Sequence, residues 1–159
     1  MNSPKSKSTG IEILPVSPHD LAIRKLIGDL DRLQAGLYPE ESNHLDSVDT
    51  LLQGNVFFVG ACLDDRWLGC GGVKVMPGGY GEIKRLFVSP QARGYGLAKK
   101  MVAALENYLR EKNIRVVRLE TGVLQKEAIN LYEQMGYRQV SPFGDYQPDP
   151  LSVFMEKTL

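Results

Sequence analysis

Residues 82–101 read EIKRLFVSPQARGYGLAKKM: a short apolar run, a proline-containing break, a glycine loop, then a helical pattern. Within it, Gln91-Ala92-Arg93-Gly94-Tyr95-Gly96 sets two glycines and an arginine directly ahead of a helix. The first N–H groups of a helix have no intrahelical acceptor, and the helix dipole adds partial positive charge there, so such a loop is a phosphate cradle. A P-loop is excluded, because Gly96 is followed by Leu97-Ala98 and not by Lys and a magnesium-holding hydroxyl. A Rossmann turn is excluded as well, since Lys99 stands where its third glycine belongs.

Working outward, Ile11–Val16 reads as a first strand stopped by Pro15, and Leu21, Arg24, Leu26, Ile27, Leu30 and Leu33 give a helix from about Asp20 to Gln34. A short helix is expected from Asp46 to Gln53. Val56–Leu63 and Trp67–Met76 form a hairpin across Asp64-Asp65-Arg66, and Tyr80–Val88 returns as a third antiparallel strand. Leu97, Met101, Leu105, Tyr108 and Leu109 fall at helical spacing, in a helix ending near Asn113. Then follow a strand at Arg115–Glu120, a helix at Gln125–Met135 closed by Gly136, and strands at Tyr137–Val140 and Ser152–Lys157 around a proline-rich loop, Ser141–Pro150. Strand, helix, strand implies a right-handed crossover and a parallel pair beside the meander. The expected fold is α/β of the α+β type, with a mixed central sheet of about six to seven strands and about four flanking helices.

The chain has 159 residues, enough for one compact core and too few for two ordinary domains. We expect a disordered tail over residues 1–9 and a single domain over 10–159. Lys plus Arg equals Asp plus Glu at 19 each, so the global basic field that nucleic-acid binding needs is missing. The balance hides an asymmetry: Asp29, Asp31, Glu40, Glu41, Asp46 and Asp49 cluster early, and a mostly basic run spans Lys84 to Arg118. With no apolar stretch near membrane length and with Cys62 and Cys70 in strand-like text without a C-x-x-C, the expected setting is the reducing cytoplasm, with buried free thiols. His19 and His44 are isolated and no ligand-spaced cluster occurs, so no metal is expected.

Two segments carry a family resemblance. LFVSPQARGYGLAKKMV (residues 86–102) resembles the pyrophosphate loop Q/R-x-x-G-x-G/A of the GCN5-related N-acetyltransferases (GNAT), and Gln125-Lys126-Glu127-Ala128-Ile129-Asn130-Leu131-Tyr132-Glu133-Gln134-Met135-Gly136-Tyr137 is similar to the family's second signature, a helix ending L-Y-x-x-x-G-F/Y. The resemblance implies an acetyl-CoA-dependent N-acetyltransferase in which two parallel strands splay to admit the pantetheine arm. It assigns backbone contacts to Leu86, Phe87 and Val88, and pyrophosphate contacts to Arg93, Gly94, Tyr95, Gly96, Leu97 and Ala98. Lys99, Lys100 or Arg110 are in line for the nucleotide 3′-phosphate. Gln125 stands where many relatives carry Asn seven residues before the tyrosine. Tyr132 matches the residue that protonates the departing thiolate. Glu82 is the candidate base, with a strand-edge ion pair to Lys84 or Arg118 as its structural alternative, and Glu120 is second choice.

An alkylamine lies about three and a half pK units from neutrality at pH 7, roughly 4 to 5 kcal/mol against the free amine, so a base is needed. The acidic stretch and Asp145 suggest a cationic small-molecule acceptor, with Tyr38, Tyr80, Phe143 and Tyr146 as candidate pocket walls. The alternatives are an acetyltransferase acting on protein α-amines or lysines, and a catalytically silent acyl-CoA-binding module. No nucleic-acid or membrane partner is expected; pairing of exposed sheet edges into a homodimer is.

Overall fold

The computed structural model describes residues 10–43, 47–51, 53 and 55–159. The tail expected over 1–9 lies outside these residues, as do His44 and Asp46. One sheet of seven strands runs β1 (Ile11–Pro15), β2 (Asn55–Leu63), β3 (Arg66–Val75), β4 (Gly81–Val88), β5 (Val116–Gly122), β6 (Arg138–Val140) and β7 (Ser152–Thr158), in spatial order β1-β2-β3-β4-β5-β7-β6. All neighbours are antiparallel except β4 and β5. The helices are α1 (Leu21–Leu37), α2 (Val48–Leu51), α3 (Leu97–Glu111) and α4 (Lys126–Gln134). None among the described residues is long and apolar enough to cross a membrane.

Successive strand side chains face opposite sides, so each strand serves two cores. Phe58, Cys70 and Phe87 pack with Ile23, Leu26, Ile27 and Leu30 of α1. Val59, Val73 and Ile83 pack instead with Met101, Val102, Leu105 and Leu109 of α3. The expected α3 stripe is the buried one, except that Tyr108 is half-buried and stacks on Phe57 with ring centroids 4.3 Å apart. For α1 the buried stripe differs from expectation. Ile23 is buried, whereas Leu21 and Leu33 are exposed, because Leu21 opens the helix ahead of its contact with the sheet. The helix also runs past Gln34 to Leu37, where Pro39 forces Tyr38 into an extended conformation and stops it. The β2–β3 hairpin is tighter than expected: Asp64 (φ 51°) and Asp65 (φ 64°) form a two-residue turn with both residues left-handed, and Arg66 already belongs to β3. The short helix expected over Asp46–Gln53 is Val48–Leu51 among the described residues. Cys62 and Cys70 are buried free thiols, and burial pushes the Cys70 thiol up to about 12.

The functional geometry starts in β4. Opposite β3, Cys70 pairs with Phe87 and Gly72 with Lys84, so Gly71 alone on β3 faces Arg85 and Leu86 on β4 and one residue is extra. Arg85 takes up that bulge at φ 54°, a conformation costly for a non-glycine residue. On the other side, pairing with β5 covers only Gly81–Ile83 against Val117–Leu119 and then stops. The strands separate where the bulge begins. Arg85 is held there by its buried guanidinium, whose Nε donates to Asp31 Oδ1 of α1 at 3.0 Å. Removing one partner of a buried pair strands the other charge. Because the Asp31 side chain is about one-third exposed (36%), Asp31→Ala should cost less than a fully buried pair, about 2 kcal/mol, read as a lower urea midpoint with an unchanged m-value.

Candidate active site

Where β4 and β5 part, a cleft opens that is lined by Glu82, Lys84 and Arg85 of β4, Glu120 of β5, Tyr132 of α4, and Tyr38 and Tyr146 from opposite walls. Glu82 is 3% exposed. A carboxylate this buried needs partners, and it has them: Tyr146 donates its hydroxyl to Oε2 at 2.6 Å, and Lys84 Nζ lies 3.7 Å from the same oxygen. Across the gap, Ser152 Oγ donates to Glu120 Oε2 at 2.8 Å. Two carboxylates on adjacent parallel strands are thus each oriented by a hydroxyl from the C-terminal segment.

Tyr132 differs from them. It is buried, its ring sits edge-on to Tyr137 with centroids 5.5 Å apart, and its hydroxyl has no hydrogen bond among the described residues. Burial pushes its phenol above the ordinary value of 10.0, so at neutral pH it remains a proton donor facing the cleft. Tyr38 closes the other side, its hydroxyl accepting the Leu124 N–H at 3.1 Å. Burial is also the main cause raising the Tyr38 phenol, with Glu120 adding to it. The ring lies against Gly122, where a Cβ would overlap the hydroxyl.

The glycine loop lies at the N-terminus of α3. Gly94 (φ 90°) and Gly96 (φ 75°) both adopt the left-handed conformation that glycine alone takes at no steric cost, and a Cβ on either would meet open space, so backbone conformation is what requires them. The first amide of this helix with a backbone acceptor is Lys100, donating to Gly96 O at 3.1 Å. The amides of Leu97, Ala98 and Lys99 therefore lead out of the helix end. The Arg93 side chain is half exposed and reaches Glu127 of α4 at 3.6 Å, tying the loop to the helix that carries Tyr132.

Other sequence-singled residues divide by position. Leu86 and Gln125 line the cleft; the Gln125 carbonyl accepts from Gly122 N–H at 3.1 Å and Thr121 Oγ at 3.4 Å. Phe87 buries its side chain against α1, Val88 pairs with Gly69, and Leu97 is buried at the head of α3. Tyr95 is half-buried and lines a separate concavity with Leu63 and Leu68. Ala98 is half-buried and Lys99 and Lys100 are exposed, while Arg110 is engaged by Asn107 and Glu106.

Of the aromatic residues suggested as walls, Tyr38 and Tyr146 serve, but Tyr80 and Phe143 do not. They pack on Arg118, whose guanidinium carbon lies 4.4 Å and 5.7 Å from their centroids and whose Nε donates to Glu156 at 2.8 Å. Glu82 accordingly pairs with Lys84 and not with Arg118. Nor does the acidic stretch line the cleft among the described residues: Asp29 pairs with Lys25 and Arg32, Asp31 with Arg85, Asp49 with His19, and Glu40 and Glu41 are exposed. Arg85 is a charged cleft residue that sequence reasoning passed over, and Lys84 entered it only as a possible ion-pair partner of Glu82. Their signal was two adjacent cations inside an otherwise apolar strand.

Residues 25–137 match the Acetyltransferase (GNAT) family. Over 150 residues the chain is 42% identical to a protein named IAA acetyltransferase from Azospirillum brasilense, covering 94% of this chain and 98% of that one. Among solved structures, a Klebsiella pneumoniae chain described as an acyl-CoA N-acyltransferase superposes with a TM-score of 0.79 at 37% identity, over 94% of this chain and 97% of its own. The PaiA N-acetyltransferase of Thermoplasma acidophilum, solved in complex with coenzyme A, shares the fold with a TM-score of 0.71 at 20% identity over 94% and 99% of the two chains.

Gly122→Ala tests the wall built by Tyr38. Overpacking at this contact should cost about 1–3 kcal/mol, read as a lower melting temperature, and pairing it with Tyr38→Ala should recover part of the loss.

Proposed function

The chain belongs to the GNAT acetyltransferase family, and on that premise we propose that it moves an acetyl group from acetyl-CoA to the primary amine of a small molecule, by direct attack in a ternary complex. The observation that carries the reading is Tyr132: a buried residue of the cleft lining whose hydroxyl has no hydrogen bond among the described residues, in a cleft that also holds a buried carboxylate, Glu82. Leaving a buried hydroxyl unbonded costs about 1–3 kcal/mol, a cost that a bound acceptor atom removes.

The fold supplies two features that suit the donor. Beyond Ile83, β4 no longer pairs with β5, so its backbone groups can hydrogen-bond an extended ligand laid in the gap. At the end of the same strand, the loop amides of Arg93 to Ala98 suit a pyrophosphate, and exposed Lys99 suits a further phosphate. Leu86, Phe87 and Val88 would act through the strand backbone, and Gln125 through its side-chain amide.

In the transfer, Glu82 takes the proton of the ammonium, directly or through water, leaving a neutral amine. The amine nitrogen bonds to the thioester carbonyl carbon. The carbon–sulfur bond then breaks and Tyr132 donates its hydroxyl proton to the departing thiolate; the nitrogen, positive after bonding, sheds its second proton, which restores the Tyr132 hydroxyl, and the proton on Glu82 leaves to solvent. The walls formed by Tyr38 and Tyr146 favour a small acceptor over a polypeptide. Free Cys62 and Cys70 fit a reducing cytoplasm.

Isothermal titration with acetyl-CoA tests the donor. Gly96→Glu places a strained backbone and a negative charge at the loop, and should weaken binding at least about tenfold; unchanged affinity would remove the loop from the donor site. Tyr132→Phe should lower kcat about a hundredfold, the effect of losing a proton-transfer group. Wild-type turnover in that variant would return Tyr132 to a packing role.

A further inference from the structure

Resting on this reading, the charges of the cleft narrow the acceptor further. The lining holds Glu82 and Glu120 but also Lys84 and Arg85, with side chains 12% and 4% exposed respectively. Asp31 neutralises Arg85, and Asp29 and Asp49 pair away from the cleft, so the charges that face an acceptor are Lys84 beside Glu82, with Glu120 held by Ser152.

Lys84 and Glu82 form a loose pair, 3.7 Å apart, longer than a direct charge-assisted hydrogen bond. They present one positive and one negative charge side by side next to the candidate base. An amino acid carries the complementary arrangement, an ammonium and a carboxylate a few bonds apart, and two such ion pairs lying antiparallel give every charge an opposite neighbour. We propose that the acceptor is a zwitterion of the amino-acid class, its carboxylate held by Lys84 and its ammonium set against Glu82. Lys84 is then a specificity residue, and the same contact that binds the carboxylate aims the amine at its base.

The test compares coenzyme A release at saturating acetyl-CoA for amino acids and their decarboxylated counterparts, such as phenylalanine with phenethylamine, tryptophan with tryptamine and lysine with cadaverine, with spermidine as the polycation. For the accepted side chain, kcat/KM should favour the carboxylate-bearing member about tenfold or more, as for one charged hydrogen bond. Lys84→Met should bring that ratio close to one through a higher KM for the amino acid, and Lys84→Arg should retain it. Because each amine serves as its own control for any effect on Glu82, the ratio reports carboxylate binding alone. Preference for the decarboxylated amines or spermidine would overturn the zwitterion while leaving the transferase reading intact. A ratio unchanged by Lys84→Met would overturn the role of Lys84. Absence of turnover with every amine, despite acetyl-CoA binding, would overturn both the proposed function and this inference; a Lys84→Met chain that fails to fold leaves the wild-type ratio and Lys84→Arg to decide.

Discussion

The buried ion pair between Arg85 and Asp31 is the contact on which the cleft depends. A continuous β4–β5 pairing would satisfy more backbone groups, and nothing in strand propensity alone would stop it at Ile83. The extra residue in β4 changes the strand's course and twist, and Arg85, which occupies it at φ 54°, has its side chain fixed to Asp31 on α1. Helix α1 is thereby fastened to the sheet at the point of divergence, reinforcing the apolar contacts of Ile23, Leu26, Ile27 and Leu30. The same helix ends in Tyr38, which walls the cleft. One ion pair thus links the opening of the sheet to the element that bounds what enters it.

The C-terminal segment performs a second service. Strand β7 inserts between β5 and β6, bringing Ser152 beside Glu120, and the loop before it delivers Tyr146 to Glu82. Neither carboxylate is left to find its own orientation. A hydroxyl donor offsets part of the desolvation of a buried charge and fixes which lone pairs remain directed into the cleft. Tyr146 comes from a proline-rich loop and not from the sheet, and its position is anchored by an edge-on contact with Phe143 and a tilted one with Phe154, with ring centroids 5.3 and 5.4 Å away.

How much of this could be read from residues follows from the range of each interaction. The glycine loop, the α3 stripe of Leu97, Met101, Leu105 and Leu109, and the strand–helix–strand crossover are local patterns, and the fold they imply is the one found. The bulge was illegible, because a left-handed Arg85 is imposed by a partner fifty-four residues away in sequence. The acidic stretch misled for a related reason: composition gives the sign of a segment's charge, but helical phase and local pairing decide where that charge points. Asp29 and Asp31, two residues apart on α1, face different partners altogether. Tyr80 and Phe143 likewise offered aromatic faces to a cation, and the cation they took was Arg118 of the chain itself.

Tyr132 sets the remaining tension. Its neighbour Tyr137 has a hydroxyl donating to Glu106 at 2.8 Å, and Lys157 reaches the same carboxylate at 3.1 Å, so polar groups in this core are otherwise closely matched. Five residues earlier on the same helix region, the Tyr132 hydroxyl is buried without such a match. Packing alone does not require the oxygen, since a phenylalanine would fill the same space without an unsatisfied donor. On the reading proposed above, an acceptor atom of the bound donor would supply the missing match. The bulge in β4 keeps the cleft beside Tyr132 open, because pairing continued past Ile83 would close the gap between the strands.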